Sequence, residues 1–151
     1  MNEFLRSESP TALGRAYRGE ILVRFAHCDP AGIVFYPRYL EMFNNLVEDW
    51  CREELGISFA ELMPSGMGLP TAHLEVDFLA PSRLGDALQA NLVVRAIGRS
   101  SIRLEILLQG PGGQDRVRGK VVLVMTDARC GGGVPLPEEL RSRLSKFLVA
   151  E

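Results

Sequence analysis

The sequence predicts an α+β fold in which an antiparallel sheet is covered on one face by a single long helix. Three observations predict it. One strand-like segment is followed by one long helical segment and then by four strand-like segments, and strands grouped apart from a helix mark this fold class. The helical segment carries an apolar stripe about five turns long, more than an unpartnered helix keeps exposed to water. Residues 101–109 set Ile102, Leu104, Ile106 and Leu108 against Ser101, Arg103 and Glu105, the period-two pattern of a strand with one buried face.

Each element has its own local reason. Residues 1–17 hold Ser, Glu, Pro and Gly without a period and read as a flexible tail, which leaves 18–151 as a single domain. A first strand runs over about 19–27, with Ile21, Val23 and Phe25 on one face. The main helix runs over about 37–55. Its stripe is Leu40, Phe43, Val47, Trp50 and Cys51, widened by Met42, Leu46 and Leu55, against a polar face of Glu41, Asn44, Asn45, Glu48 and Arg52. Pro37 suits a first helical turn and Gly56 a stop. Residues 58–63 add one helical turn before the break at Pro64-Ser65-Gly66. Strands follow at about 69–79, 87–97, 101–109 and 115–127, with a hairpin loop at Gly110-Pro111-Gly112-Gly113. Gly131-Gly132-Gly133 ends the sheet region. Pro137-Glu138-Glu139 opens a short terminal helix with Leu140, Leu144, Phe147 and Leu148 on one side.

Composition excludes several classes. A chain of 151 residues with 46% hydrophobic content fits one ordinary globular domain. A net charge of −2 and no basic face argue against a nucleic-acid binder, although a few local arginines suffice to hold a phosphate. Cys28, Cys51 and Cys130 are scattered and form no C-x-x-C, which fits a reducing cytoplasm. Residues 1–14 lack the apolar core of a signal peptide. No run approaches the ~18 apolar residues of a membrane span. The expectation is a cytoplasmic protein without a membrane partner.

The chemistry concentrates at residues 25–37. Asp29 stands where an alternating strand ends, followed by Pro30, Ala31 and Gly32 and then by a helix start at Pro37. An acid beside the free N–H groups of a helix start pairs a base or nucleophile with donors for an oxyanion, the minimum equipment for acyl-transfer hydrolysis. An aspartate before Pro and Gly is also a common turn or N-cap residue, and that reading stands beside the first. Gly32 permits close approach or an unusual backbone angle, or serves as a turn glycine. His27, two residues before Asp29, shares its side if the strand persists; it then orients Asp29 or touches substrate, with a purely structural role equally open. Cys28 points the other way, as a small core residue.

Residues 27–39, His-Cys-Asp-Pro-Ala-Gly-Ile-Val-Phe-Tyr-Pro-Arg-Tyr, resemble the active-site signature of the 4-hydroxybenzoyl-CoA thioesterase family. The resemblance continues through Gly68-Leu69-Pro70, Glu75–Pro81, Leu84-Gly85-Asp86 and Gly98-Arg99-Ser100-Ser101, and covers roughly residues 18–128. It implies a hotdog fold, a sheet wrapped around the long helix, which periodicity alone does not distinguish from other helix-on-sheet folds. It also implies Asp29 as the catalytic carboxylate, acting as nucleophile or as general base, with the Tyr36 backbone N–H as oxyanion donor. The position of His27 is more often acidic in the aryl-CoA enzymes, and in short-chain acyl relatives a histidine falls where Tyr36 lies. A second hotdog branch carries its acid on the long helix, which makes Glu48 the alternative carboxylate; a solvated helix face explains Glu48 as well. Asn44 and Asn45, one turn earlier, are candidates to contact the acyl group.

Arg99, Ser100 and Ser101 follow Gly98 between two strands and suit a phosphate, with a guanidinium fork, two hydroxyls and a glycine-loosened backbone. A plain hairpin fits equally, and the resemblance favours contacts to the phosphates of CoA. Arg129 is a weaker candidate, and Arg103 reads as a solvated strand residue. There is no G-x-S-x-G elbow, Walker pattern or G-x-G-x-x-G before a helix, and His27, His73 and the three cysteines lack metal-ligand spacing. No metal and no cofactor are expected. The expected activity is hydrolysis of an acyl- or aroyl-CoA. The rivals are another hotdog enzyme such as a hydroxyacyl dehydratase, or a non-catalytic acyl-CoA or acyl-carrier binding protein. Edge strands of a small open sheet invite pairing, and the resemblance implies a homodimer that pairs again into a tetramer.

Overall fold

The computed structural model describes residues 15–149, so residues 1–14 of the expected tail lie outside it. Tyr17 already stands in the first strand. Five strands form one antiparallel sheet: β1 (Tyr17–Leu22), β3 (Thr71–Phe78), β4 (Ala87–Ile97), β5 (Ser101–Gln109) and β6 (Asp115–Val124), in the order β1-β4-β5-β6-β3. The main helix α1 (Tyr36–Trp50) packs across one face and runs on through a wider turn at Cys51–Leu55. Gly56 stops it at φ +68°, a left-handed angle that favours glycine. The expected α+β arrangement of a sheet around one long helix is therefore observed.

Packing follows the stripe read from the sequence. Met42, Phe43, Leu46, Val47 and Trp50 are buried against the alternating inner residues of β4, β5 and β6. The helix packs tightly on Gly119 of β6, where a Cβ would stand 2.5 Å from the Phe43 ring. Strands β4 and β5 have the expected bounds. Residues 58–63 give α2 (Phe59–Leu62) and a following turn, and the terminal helix is α3 (Glu138–Leu144), which buries Leu140 and Leu144.

Three expectations are corrected. The first strand ends at Leu22 rather than near 27, because the chain turns to donate Val23 N–H to Asp86 O and then winds a short 3-10 turn at Phe25–His27. Phe25 is 84% exposed instead of sharing the buried face of Val23. The last expected strand breaks at Met125 into β6 and β7 (Thr126–Asp127). Strand β7 leaves the main sheet to pair with β2 (Met67–Gly68) and with β8 (Gly132–Gly133). The glycines at 132 and 133 thus extend a small second sheet rather than end the sheet region.

Candidate active site

Asp29 opens a tight hairpin. Its N–H donates to Ile33 O at 3.0 Å, its carbonyl accepts Gly32 N–H at 2.9 Å, and its Oδ1 accepts Ala31 N–H at 2.9 Å. Gly32 has φ +78°, so this turn needs a residue without Cβ strain. The carboxylate is half-buried, and among the described residues Oδ2 takes no hydrogen bond. The hairpin is fixed from outside by the loop before β4. Val34 N–H donates to Ser82 O at 2.9 Å, Leu84 N–H donates to Gly32 O at 3.2 Å, and Ile33 pairs with Arg83.

Helix α1 starts directly after this hairpin. Phe35 is its N-cap, and Phe35 N–H donates back to His27 O at 2.9 Å. Of the first three helical residues, Pro37 has no N–H, and Arg38 donates its own to Phe35 O at 2.9 Å. Tyr36, at the first position, has no intrahelical acceptor for its N–H. One donor at the positive end of a five-turn helix therefore points away from the helix body, where the dipole adds to it. The rings of Phe35, Tyr36, Phe78 and Tyr39 form an aromatic wall here, with successive centroids 5.4, 6.1 and 5.9 Å apart. Phe35, Tyr36 and Phe78 are each about half exposed.

The remaining candidates fall elsewhere. His27 lies in the 3-10 turn, where its Nδ1 accepts Arg24 N–H at 2.9 Å. The strand alternation that set it beside Asp29 does not extend to residue 27, and its imidazole caps its own turn. Cys28 sits at the core margin, with Sγ against Arg24 O. Burial pushes the Cys51 thiol up to about 12, which removes it as a nucleophile. Glu48 is exposed on α1, roughly 18 Å along the axis from Tyr36 at 1.5 Å per residue. Asn44 and Asn45 are exposed as well, and Asn44 borders a cavity of about 120 Å³ between α1 and β3, with Leu40, Phe59, Thr71, Leu74 and Leu123, toward the Arg99 end of the sheet. His73 pairs with Glu75 at 3.1 Å on the open side of β3, well exposed.

Arg99 and Ser100 form the tip of the β4–β5 hairpin, closed by Gly98 N–H to Ser101 O at 2.8 Å. Arg141 of α3 braces the hairpin by donating to Gly98 O and Arg99 O. The Arg99 side chain is exposed, while Arg129 is held by Asp127 at 2.8 Å. Register places this tip at the opposite end of the sheet from Asp29. Gly19, Ala90, Leu108, Val117 and Phe78 form one cross-strand row near the Asp29 end; Ile97, Ile102, Leu123 and Thr71 form another near the Arg99 end. A single chain does not bring Asp29 and Arg99 together. Among the described residues no group of three His, Cys, Asp or Glu gathers as a metal-ligand set, and no helix is long and apolar enough to cross a membrane.

Comparison with known proteins agrees with the fold. The thioesterase-like superfamily model matches residues 23–144. A 1,4-dihydroxy-2-naphthoyl-CoA hydrolase from Synechocystis sp. is 34% identical over 73 residues, which are 48% of this chain and 52% of that one. Its counterpart from Synechococcus elongatus is 26% identical over 130 residues, 85% of this chain and 94% of that one. The solved structure of BH1999 gentisyl-coenzyme A thioesterase has a TM-score of 0.77 and 25% identity, covering 85% of this chain and 99% of that chain. These relatives bear the names of naphthoyl and gentisyl thioesters, where the signature at 27–39 resembled the 4-hydroxybenzoyl family.

Proposed function

The chain belongs to the thioesterase-like superfamily, and from that premise we propose that it hydrolyses an aroyl-CoA, such as 4-hydroxybenzoyl-CoA or a bicyclic relative, to the free acid and CoA. The observation that carries this reading is the lone Tyr36 N–H ahead of Pro37, on the same short segment as a carboxylate with one oxygen left open. The names of the relatives support a CoA thioester and an aromatic acyl group.

In this reading the thioester carbonyl oxygen lies against Tyr36 N–H, which stabilises the tetrahedral oxyanion; one such donor is worth roughly 3 kcal/mol. Asp29 works through Oδ2. As nucleophile it forms an acyl-aspartyl anhydride and expels the CoA thiolate, and water then opens the anhydride. As general base it takes the proton from the attacking water, and the C–S bond breaks when the oxyanion collapses. Both routes pass the same oxyanion. The aromatic wall is the acyl side of the site, and Arg99, Ser100 and Ser101 are its phosphate side.

The site is completed by a second copy. Strand β3 is an edge strand with most residues exposed, and exposed edges invite pairing. A two-fold axis through paired β3 strands sets Phe78 of one copy beside Thr71 of the other, so that Asp29 of one chain meets the Arg99 tip of its partner. The free cysteines suit a cytoplasmic setting for this homo-oligomer. The test is release of free thiol from a panel of aroyl- and acyl-CoA esters. Aroyl-CoA is expected to turn over with the highest kcat/KM; no thiol release from any ester refutes the reading and leaves a binding protein.

A further inference from the structure

We infer that Arg116 is a positioning residue for the Asp29 hairpin, acting through the loop that precedes β4. The inference rests on Asp29 as the reacting carboxylate. Arg116 lies in β6, distant in sequence from both segments, and is only 9% exposed. A buried guanidinium is costly unless its donors are satisfied. Its Nη1 donates to Pro81 O at 2.9 Å, Ser82 Oγ at 3.2 Å and Asp86 Oδ2 at 2.8 Å, and its Nη2 faces Gln114 Oε1 at 3.5 Å, while Nε is buried without a partner among the described residues, so the grip is made by the two terminal nitrogens. Its own carbonyl accepts the N–H groups of Leu79 and Ala80. Gly110 leaves the space that the guanidinium fills, since a Cβ there would collide with it.

One side chain therefore grips the loop at three acceptors. Asp86 passes the grip on: Oδ2 also accepts Arg83 N–H at 3.0 Å, and its carbonyl accepts Val23 N–H at 2.8 Å. Ser82 is fully buried, and its carbonyl holds Val34 N–H, while Leu84 N–H holds Gly32 O. The bonds that Asp29 makes are all internal to its own turn. What sets that turn against the sheet is the 82–84 loop, and what sets the loop is Arg116. The path is short: guanidinium, loop backbone, Gly32 and Val34, Asp29. A shift of about 1 Å in a reacting group costs on the order of 100-fold in rate.

The experiment is a double-mutant cycle between Arg116 and Asp29, with kcat, KM and melting temperature measured for each variant. Arg116→Met is expected to lower kcat at least ~10-fold while KM changes less than ~3-fold, because substrate-binding groups stay in place. Arg116→Lys, which keeps the charge and part of the grip, recovers some of that loss. In an Asp29→Asn background Arg116→Met is expected to cost less than ~2-fold, since the carboxylate it positions is gone. The drop in melting temperature is the same in both backgrounds. An equal fold loss of turnover in both backgrounds, or unchanged kcat in Arg116→Met, overturns the inference and leaves Arg116 as a folding residue only. Should Arg116→Met fail to fold, Ser82→Ala removes one of the three acceptors and runs the same cycle with the same two outcomes. Failure of the underlying reading is distinguishable, because it shows in Asp29→Asn alone as near-normal turnover.

Discussion

At the scale of single residues, the pose of Asp29 comes from its own backbone. The Ala31 N–H holds Oδ1 and leaves Oδ2 open, so Asp29→Asn keeps size and the acceptor for Ala31 while deleting the charge. Turnover is expected to fall at least ~100-fold with no loss of melting temperature; a variant with near-normal turnover moves the reaction to another group. Asp86 carries a pH effect. The Arg83 N–H, and then the Arg116 guanidinium, hold its carboxyl below the usual carboxylate range. A folded value below the unfolded one gives stability that is full above the unfolded value and lost as pH falls through the folded one. The acid limb of the melting curve below about pH 4 is therefore expected to be shallower in Asp86→Asn than in the wild type, and an identical limb contradicts it. The turn from Asp29 to Gly32 was legible because every bond that makes it lies within five consecutive residues. The geometry of His27 was not, because its side depended on a strand that a bond from Val23 to distant Asp86 cuts short. Arg116 gave no signal at all: an arginine in an alternating strand reads as a solvated one, and its acceptors are thirty or more positions away.

At the scale of elements, α1 reads directly from periodicity because burial on one face dictates it, and β4 and β5 read from their apolar content and flanking turns. Strands β4 and β5 lie inside the sheet, and their apolar runs of nine to eleven residues between turn signals fix their bounds; the first half of β5 alternates, whereas Val93 and Leu107 are buried on the opposite face with Val149. The break at Met125 was hidden, because what draws β7 away is pairing with β2, a two-residue strand some sixty positions earlier. The contact between α1 and the sheet carries a stability prediction. Gly119→Ala puts a methyl group into the Phe43 ring, which is walled in by the core. Overpacking of this kind costs typically 1–3 kcal/mol. Thermal unfolding is expected to show it as a clear drop in melting temperature, and an unchanged melt means the helix moves away from the sheet at little cost.

At the scale of the whole molecule, the two halves of the proposed site are separated by the length of the sheet. Strand β4 alone has 11 residues between the Asp29 end and the Arg99 tip, roughly 35 Å at about 3.3 Å per residue. One thioester cannot serve both ends of one chain through the packed core, whereas the proposed two-fold pairing at β3 would set unlike ends side by side. This yields a complementation test. Asp29→Asn destroys the reacting end of a chain and leaves its phosphate end intact; Arg99→Ala does the reverse, raising KM for CoA esters far more than it lowers kcat. Neither homodimer has an intact site. A heterodimer of the two has one, built from Asp29 of the Arg99→Ala chain and Arg99 of the Asp29→Asn chain. After equal mixing and reassembly about half of the dimers are mixed, so about one quarter of all sites should work. Activity at low substrate is then expected to rise well above the average of the two parent variants, and to fall again on dilution below the dimer's dissociation constant. Recovery no greater than that average places Asp29 and Arg99 outside any shared site.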